Sequence, residues 1–340
     1  MTPLASAVAV IGAGSWGTAL ALEVGRRGQV VRLWARDAAL AAAITSTREN
    51  PRYLPGVRLP DAVTATADLL EALRDTELAI VAVPSHFARG VLEPMARWVP
   101  RGAALVSATK GLEPGTMLRM SQLLSELVPG HPVAALSGPS FAREVALGKP
   151  TALVVASADA AVARRLQERL TAPAFRVYTN RDLVGVEIGG ALKNVMAIAT
   201  GLSDGLGLGE NARAALITRG LAEIGRLALA LGGQAATLAG LAGLGDLVLT
   251  CTGTQSRNHR LGLSMAQGQT LAQAEGATRM VAEGVRTVAS ARALAARVGV
   301  TMPLCDEVAA VLFEGKPVRE ALASLLAREP RPEEEYAARA

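Results

Sequence analysis

The sequence predicts an α/β chain in which a doubly wound (Rossmann) domain precedes an all-helical domain, and three observations support this. The chain has 340 residues, a length that suits about two domains. Short apolar runs alternate with amphipathic segments through the first half, which is typical of βαβ units around a buried parallel sheet. Beyond about Arg181, long segments rich in Ala, Leu and Gly at helical spacing replace these runs.

The first domain is predicted to span residues 1–180. Its predicted strands are Ala7–Ile11, Val30–Trp34, Leu78–Val83, Ala104–Ser107, Val133–Leu136, Ala152–Ala156 and Phe175–Tyr178. The helices expected between them are Thr18–Arg27, Phe87–Trp98, Thr116–Leu127 and Ala160–Leu170. Near-continuous apolar strands of this kind are buried on both faces of a sheet, with helices as the covering layers.

The second domain is predicted over residues 181–328 and consists of helices alone. The helical candidates are Asp182–Leu202, Asn211–Leu231, Asn258–Ala266, Gly284–Val298, Leu304–Phe313 and Val318–Ala327. Residues 329–340 carry two prolines and a run of glutamates, so we expect a frayed tail there.

Composition excludes several classes of protein. A chain that is 50% hydrophobic and 19% charged is not intrinsically disordered. The net charge of +5 is spread along the chain and aromatic residues make up 3%, so we expect no nucleic-acid partner. The two cysteines and three histidines show no ligand spacing, so no metal site is predicted.

The sequence carries no signal that we interpret as a membrane or export segment. The uncharged N-terminal stretch contains a glycine cluster and lacks preceding basic residues, unlike a signal peptide. A second uncharged stretch, Leu227–Gly245, is interrupted by glycines, so we do not expect a transmembrane helix. The prediction is a cytoplasmic protein without stable membrane association.

The strongest local motif is the run Gly12–Gly17, which follows the first predicted strand and opens a helix. In the dinucleotide-binding fingerprint, the first glycine permits a tight turn and the second lets the backbone approach a pyrophosphate. The third, here Gly17, allows the helix to pack on the strand. Gly12 and Gly14 occupy the other two positions, so this run predicts a bound dinucleotide.

Arg36 and Asp37 follow the second predicted strand, where the choice between NAD and NADP is usually made. The guanidinium of Arg36 can stack on adenine or pair with a 2′-phosphate. Asp37 can reach the ribose or cap the next helix instead. The pattern favours NADP and leaves NAD open.

Lysine is rare here, which makes each lysine informative. Of the 35 basic residues, only Lys110, Lys149, Lys193 and Lys316 are lysines. Lys193 lies in an apolar helix beside two glycines, and burial would lower its pKa and make it a general acid or base. The alternative is a lysine at a helix edge that reaches solvent.

Other polar residues follow the carboxyl ends of later strands, the edge where doubly wound sheets bind ligands. Lys110 follows one strand, and Gly138 and Ser140 follow another. The small residues let a ligand approach the backbone, and Ser140 can contact that ligand or cap a helix.

We predict a hydroxyl- and glycine-rich loop over Gly245–Gly253, leading to a helix that begins near Asn258. With Ser256 and Arg257, the start of that helix would suit a phosphate. Asp246 could bond a substrate hydroxyl or orient Lys193, and Cys251 is expected to be a buried small residue.

Taken together, eight runs resemble the bacterial type of NAD(P)-dependent glycerol-3-phosphate dehydrogenase. They are GAGSWGTALA, YLPG, TKGLE, LSGPSFAREV, GGALKNVMAIATG, GDLVLTCTG, SRNHRLG and MVAEGVRT, and they reach from the first strand to about Val288. The resemblance implies reversible hydride transfer between NAD(P)H and dihydroxyacetone phosphate. The product would be sn-glycerol 3-phosphate for phospholipid synthesis.

The resemblance also implies residue roles. Lys193 corresponds to the proton acceptor, with Lys110 and Asp246 completing the catalytic set. The implied substrate contacts are Lys110, Gly138, Ser140, Lys193, Asp246, Ser256, Arg257 and Asn258. Asn194 and Thr250 lie beside these in the same motifs and are expected as secondary contacts. The implied cofactor contacts, besides Gly12, Gly14 and Gly17, are Ser15, Trp16, Arg36, Lys110, Ala142, Arg257, Val281 and Glu283.

Two alternatives stay open at this point. A β-hydroxyacid-type dehydrogenase would also join a Rossmann domain to helices that carry a lysine, but its substrate would be a carboxylate. A non-catalytic dinucleotide-sensing protein would bind the cofactor without oxidising it. The expected partner is a small phosphorylated substrate, and a homodimer is possible.

Overall fold

The computed structural model describes residues 7–276 and 282–329. Contacts divide the chain into two compact units. Unit 1 comprises Met1–Thr109 and Met120–Leu183, and unit 2 comprises Lys110–Arg119 and Val184–Ala340. Unit 2 therefore takes a segment from the first half of the chain, whereas the sequence prediction divided the chain once, near residue 180.

Unit 1 contains all ten strands found in the described ranges. They are β1 Ala7–Ile11, β2 Val31–Trp34, β3 Glu49–Asn50, β4 Leu54–Arg58, β5 Val63–Thr66, β6 Thr76–Val81, β7 Ala104–Ser107, β8 Val133–Ser137, β9 Thr151–Ala156 and β10 Phe175–Asn180. Its helices are α1 Ser15–Arg26, α2 Ala38–Thr47, α3 Leu69–Leu73, α4 Ala88–Ala96, α5 Met120–Leu127, α6 Ala142–Ala146 and α7 Ala160–Leu170.

Eight of these strands form one sheet in the order β10-β9-β8-β7-β6-β1-β2-β5, and β3 pairs with β4 separately. The strand order reverses direction between β1 and β6, which is the switch point where doubly wound sheets bind ligands. The core packs against the sheet, and all five residues of β1 are buried. The predicted Rossmann architecture is confirmed.

The sheet is not entirely parallel, which corrects one expectation. β9 pairs antiparallel with β8, and β10 is parallel to β9, so both run opposite to the other six strands. The connection from β8 to β9 contains α6, which has five residues. A helix this short spans about 8 Å and does not return the chain along the sheet, so β9 enters from the opposite end.

A second correction concerns the predicted helix Thr116–Leu127, which begins at Met120 as α5. The preceding segment contains Gly115 with φ +82° and Met117 with φ +62°, and these left-handed conformations interrupt a right-handed helix. Leu112 and Arg119 form an isolated antiparallel bridge across this turn. Residues 110–119 therefore form a hairpin-like segment that belongs to unit 2.

Unit 2 is helical throughout its described elements after residue 183. These are α8 Leu183–Gly205, α9 Gly209–Ala230, α10 Ala235–Leu238, α11 Asp246–Thr252, α12 Arg257–Ala266, α13 Leu271–Gly276, α14 Glu283–Arg297, α15 Pro303–Phe313 and α16 Val318–Leu326. A π-helical turn over Leu241–Gly245 precedes α11. Residues 330–340 of the expected tail lie outside the described residues.

The central helix of unit 2 is α8, which is buried from Gly185 to Ser203. Glycines allow other helices to approach it closely. A Cβ at Gly262 of α12 would lie 2.2 Å from the carbonyl oxygen of Ile198, and one at Gly284 of α14 would lie 2.6 Å from that of Asn194. The backbones of α12 and α14 thus contact the helix that carries Lys193.

Two helical stretches in the described ranges are long and apolar enough to cross a membrane, Leu183–Gly205 and Ala235–Thr252. In the first, 89% of the most apolar window is buried within the protein, as in the core helix of a globular domain. In the second, the corresponding share is 44%. Length and composition alone are therefore weak grounds for a membrane segment here.

Candidate active site

The glycine-rich turn between β1 and α1 has the geometry that the fingerprint predicts. Gly12 adopts φ +119°, and a Cβ there would lie 2.7 Å from the carbonyl oxygen of Ala82. A Cβ on Gly17 would lie 1.9 Å from the oxygen of Gly12, so both positions require glycine. A Cβ on Gly14, by contrast, would have no described atom within 4 Å. This open space at the N-terminus of α1 fits a dinucleotide pyrophosphate.

The turn is braced by Asn50, which sequence reasoning missed, and by Ser15. Asn50 is fully buried, and its Nδ2 donates to the carbonyl oxygen of Ala13 at 2.9 Å and to Oγ1 of Thr18 at 2.8 Å. Ser15 Oγ donates to the carbonyl oxygen of Tyr53 at 2.7 Å. The only sequence signal for Asn50 was its position just before the YLPG run.

Trp16 lies in the first turn of α1 and packs against the core of unit 1. Its indole Nε1 is buried and has no hydrogen-bond partner among the described residues. A buried donor of this kind has a free-energy cost unless a ligand or water satisfies it. Together with the open space at Gly14, this unpartnered donor supports a ligand at the start of α1.

Arg36 and Asp37 take different roles at the end of β2. Arg36 is exposed, and its Cζ lies 5.0 Å from the ring centroid of Phe87. Asp37 caps α2, accepting from the backbone nitrogens of Ala39 at 2.9 Å and Leu40 at 3.3 Å. Of the two roles open to Asp37, capping is the one seen. Arg36 remains the exposed cation next to the ribose-binding position of the fingerprint.

Three further predicted residues lie after β8 in unit 1. Gly138 has φ +130°, and a Cβ there would lie 3.1 Å from Leu153 Cα. Ser140 Oγ donates to the carbonyl oxygen of Gly138 at 2.9 Å. The N-cap of α6 is Phe141 and not Ser140, and this N-cap residue makes no side-chain capping bond. Ala142 is the first residue of α6.

A buried centre in unit 2 joins two lysines to one carboxylate. Lys193 Nζ donates to Asp246 Oδ1 at 2.5 Å and to Thr250 Oγ1 at 2.7 Å. Lys110 Nζ donates to the other carboxylate oxygen, Asp246 Oδ2, at 2.7 Å. Asp246 is fully buried and Lys193 is 6% exposed, so the expected burial of Lys193 is confirmed.

The surroundings of Lys193 make its ammonium unusually acidic. Burial lowers its pKa from 10.5 to about 8, because the charged form loses hydration. Asp246 opposes this shift by stabilising the ammonium, while the positive charge of Lys110 lowers the pKa further. A lysine with this pKa can donate or accept a proton near neutral pH.

The predicted loop over Gly245–Gly253 is instead the helix α11, a correction that matters for the site. Asp246 and Thr250 lie one turn apart on α11, and Thr250 Oγ1 donates to the carbonyl oxygen of Asp246 at 2.6 Å. Leu247 and Cys251, also four residues apart, are both fully buried. The helical spacing of these apolar residues was present in the sequence, but the glycine and threonine content of the segment led to the prediction of a loop.

A chain of amide side chains connects three elements of unit 2 behind the lysines. Asn194 Nδ2 donates to the carbonyl oxygen of Lys110 at 3.3 Å, and Asn258 Nδ2 donates to Asn194 Oδ1 at 2.9 Å. Asn258 Oδ1 in turn accepts from the backbone nitrogen of Gly284 at 3.0 Å. This ladder fixes the Lys110 segment relative to α8, α12 and α14.

The N-terminus of α12 is the predicted anion site. Ser256 caps the helix, accepting from the backbone nitrogen of His259 at 3.3 Å, and Arg257 is its first residue. Burial lowers the pKa of Arg257, and Glu283 at the start of α14 opposes that shift. Val281, another predicted contact, lies outside the described residues.

One further contact was not foreseen. Arg119 Nη1 donates to Glu187 Oε2 at 2.5 Å, and both side chains are largely buried. The ion pair joins the segment that carries Lys110 to α8. Neither residue stood in a motif that sequence reasoning could connect.

Within residues 7–276 and 282–329, no cluster of His, Cys, Asp and Glu could hold a metal ion.

Comparisons with known proteins agree across nearly the whole chain. Family models for the NAD-dependent glycerol-3-phosphate dehydrogenase N-terminus and C-terminus match residues 7–163 and 182–323. A glycerol-3-phosphate dehydrogenase [NAD(P)+] of Geobacter sp. (strain M21) is 51% identical over 96% of this chain and 98% of its own length. One from Moorella thermoacetica is 51% identical over 96% and 97%. The crystal structure of glycerol-3-phosphate dehydrogenase from Coxiella burnetii is 43% identical, with a TM-score of 0.93, over 96% of this chain and 100% of that one.

Proposed function

Because the chain belongs to the NAD-dependent glycerol-3-phosphate dehydrogenase family, we infer that it interconverts dihydroxyacetone phosphate and sn-glycerol 3-phosphate. It is an NAD(P)-dependent oxidoreductase, and its product supplies glycerophospholipid synthesis. The observation that supports this reaction best is the buried pair of Lys193 and Asp246, with Lys110 on the second carboxylate oxygen.

We propose that Lys193 moves the proton. In ketone reduction its ammonium protonates the oxygen of the developing alkoxide, and in the reverse direction its neutral amine accepts that proton. Asp246 and Thr250 orient Nζ of Lys193. Lys110, which donates to the second carboxylate oxygen of Asp246, binds an oxygen of the substrate. The nicotinamide, when bound, supplies the hydride for the ketone carbon.

The cofactor is assigned to unit 1 by the same reasoning. The run Gly12–Gly17 holds the pyrophosphate at the N-terminus of α1, with the unpartnered indole donor of Trp16 beside it. Both NADP and NAD fit the family. We propose a preference for NADPH, because Arg36 is exposed at the end of β2 while Asp37 is engaged in capping α2. Ser15, Ala142, Arg257, Val281 and Glu283 remain assignments from the resemblance.

The substrate phosphate is assigned to the N-terminus of α12, with Arg257 and Asn258. This helix end presents backbone N–H groups and a guanidinium, which together suit a dianion. Ser256 caps the same turn, and Asn194 supports Asn258 through a hydrogen bond of 2.9 Å. Gly138 and Ser140 remain assignments from the resemblance.

Replacement of Arg257 tests the phosphate assignment. Arg257→Ala should weaken use of dihydroxyacetone phosphate by ~2–5 kcal/mol, as truncation of one side of a buried charge pair does. Unphosphorylated dihydroxyacetone should be a poor substrate for the wild type and should be little affected by the substitution. The measurement is kcat/KM for both substrates. Equal losses would place Arg257 in cofactor binding or folding, and the assignment would be wrong.

A substrate comparison tests the reaction itself. Purified protein should oxidise NADPH in the presence of dihydroxyacetone phosphate, and not with β-keto acids or 2-keto acids. Activity on the acids alone would identify a hydroxyacid-type dehydrogenase. Cofactor binding without turnover of any of these substrates would identify a dinucleotide sensor.

We also propose a cytoplasmic homodimer. Support comes from an apolar cleft of about 880 Å³ within unit 2, lined by side chains of α8, α9, α15 and α16. Large apolar residues that line it are exposed, including Leu326 at 76% and Leu208 at 36%. Exposed apolar surface of this kind commonly marks a protein interface. Light scattering should give the mass of a dimer, and Leu326→Glu should yield monomers. A wild-type mass of one chain would refute the proposal.

A further inference from the structure

His259 links the proposed phosphate-binding turn of α12 to α8 through Asp204. Its Nε2 lies 2.6 Å from Oδ2 of Asp204, and both side chains are largely buried, at 15% and 10% exposed. His259 lies in the first turn of α12, directly after Arg257 and Asn258. The reaction proposed above uses neither His259 nor Asp204.

Asp204 is itself held in place. It lies near the C-terminal end of α8, and both of its carboxylate oxygens accept from Arg213 Nε of α9 at 3.0 Å. Arg213 Nη1 also donates to Glu210 at 2.8 Å. The charged groups joined in this network are Asp204 from α8 and Arg213 and Glu210 from α9. The carboxylate is a fixed acceptor to which α12 is attached through His259.

The backbones of α8 and α12 also contact each other next to the bond between His259 and Asp204. A Cβ at Gly201 would lie only 2.0 Å from the carbonyl oxygen of His259, so α8 and α12 touch at the residue that forms the bond to Asp204. Lys193 and Asn194 lie about two turns earlier on the same α8. The distance between the proposed proton donor and the phosphate-binding turn is thus set along a single rigid helix.

We propose that His259 is a positioning residue for the substrate phosphate: its bond to Asp204 fixes Arg257 and Asn258 on the helix that carries Lys193. This proposal rests on the proposed function, since it assigns the phosphate to the start of α12. His259 touches none of the reacting atoms. Its contribution should be the same in the ground state and the transition state, which changes KM and leaves kcat unchanged.

The experiment measures kcat and KM for dihydroxyacetone phosphate, and KM for NADPH, in His259→Ala, His259→Gln and Asp204→Asn. His259→Ala should raise KM for dihydroxyacetone phosphate about tenfold, with kcat within about twofold of wild type. His259→Gln should recover most of the loss, since its amide can donate to Asp204. Asp204→Asn should resemble His259→Ala, and the double variant should be no worse than either single one.

Two controls separate positioning from general damage. His131→Ala removes a different histidine, whose Nδ1 lies 3.0 Å from the carbonyl oxygen of Ala103 in unit 1, and should leave every constant unchanged. Unphosphorylated dihydroxyacetone should be used equally well by wild type and His259→Ala. A fall in kcat with unchanged KM, or an equal loss with the unphosphorylated substrate, would overturn the proposal.

The two proposals can fail separately. Calorimetric binding of sn-glycerol 3-phosphate to wild type and variants gives a readout that does not need turnover. If wild type binds this ligand but turns over no substrate, the proposed function fails, while weaker binding by His259→Ala still supports the positioning role. If all variants bind it as tightly as wild type, the positioning role is wrong even when the enzyme is active. Thermal unfolding of each variant identifies any that fails to fold.

Discussion

The proton transfer that we propose for Lys193 implies a pH dependence of known direction. Reduction of the ketone requires the ammonium, so its kcat/KM should fall about tenfold per pH unit above the lysine pKa of about 8. Oxidation of sn-glycerol 3-phosphate requires the neutral amine, so its rate should rise with pH and level off above about 8. Rate profiles in both directions check this. A reduction rate that increases through this range would contradict the role of Lys193 as the acid.

Lys110 tunes the same group through its charge. Since the positive charge of Lys110 lowers the pKa of Lys193, Lys110→Met should move the falling limb of the reduction profile to higher pH, besides weakening substrate binding. Lys149→Met is the matched control, because Lys149 is 57% exposed and pairs with Glu144 in unit 1. A limb that stays in place, or moves to lower pH, would show that Lys110 does not act on Lys193.

Arg36, at the end of β2, is the residue that we propose sets cofactor choice. Arg36→Ala should raise KM for NADPH by roughly tenfold to a hundredfold and leave KM for NADH unchanged, because only NADPH carries the 2′-phosphate. Arg97→Ala removes a comparable exposed arginine, whose Cζ lies 5.2 Å from the Trp98 ring centroid, and should change neither constant. Equal losses for both cofactors would mean that Arg36 only stacks on adenine.

At the scale of helices, the close packing of α8 and α12 depends on Gly201. Gly201→Ala would place a Cβ 2.0 Å from the backbone oxygen of His259, which cannot move without displacing α12. We expect a loss of about 1–3 kcal/mol in the free energy of unfolding, together with weaker substrate binding. Gly90→Ala in the exposed part of α4 is the control and should be neutral or stabilising, since no described atom lies within 4 Å of its Cβ. Denaturant titration of both variants would measure the difference, and equal stability would contradict this packing.

Local patterns predicted most elements, and the missed ones have identifiable causes. The apolar runs of β1, β7 and β9 and the helices α12, α14, α15 and α16 lay close to their predicted bounds, whereas α13 was not predicted. The cap Asp68, which accepts from the first turn of α3, was an available signal for a helix that was overlooked. The direction of β9 could not be predicted, because it depends on how α6 packs and not on the strand's own sequence.

At the scale of the molecule, the sequence singled out several residues that the fold brings together, but not how they are connected. Lys193, Lys110 and Asp246 were singled out from lysine rarity and motif position. The sharing of Asp246 by two lysines joins residues 110, 193 and 246, and only the folded chain brings these together. The same applies to His259 and Asp204, which are 55 positions apart. Contacts of this range depend on tertiary packing and leave no local pattern.

The central claim is that this chain reduces dihydroxyacetone phosphate with Lys193 as the proton donor. The most direct test is the kcat of NADPH oxidation with saturating dihydroxyacetone phosphate, for wild type, Lys193→Ala and Lys193→Arg purified in parallel. Both variants should fold, as judged by circular dichroism, and bind NADPH normally. Their kcat should be lower by roughly 10²–10⁴, since alanine carries no proton and arginine does not release one near neutral pH. A kcat near that of wild type in either variant would contradict the account.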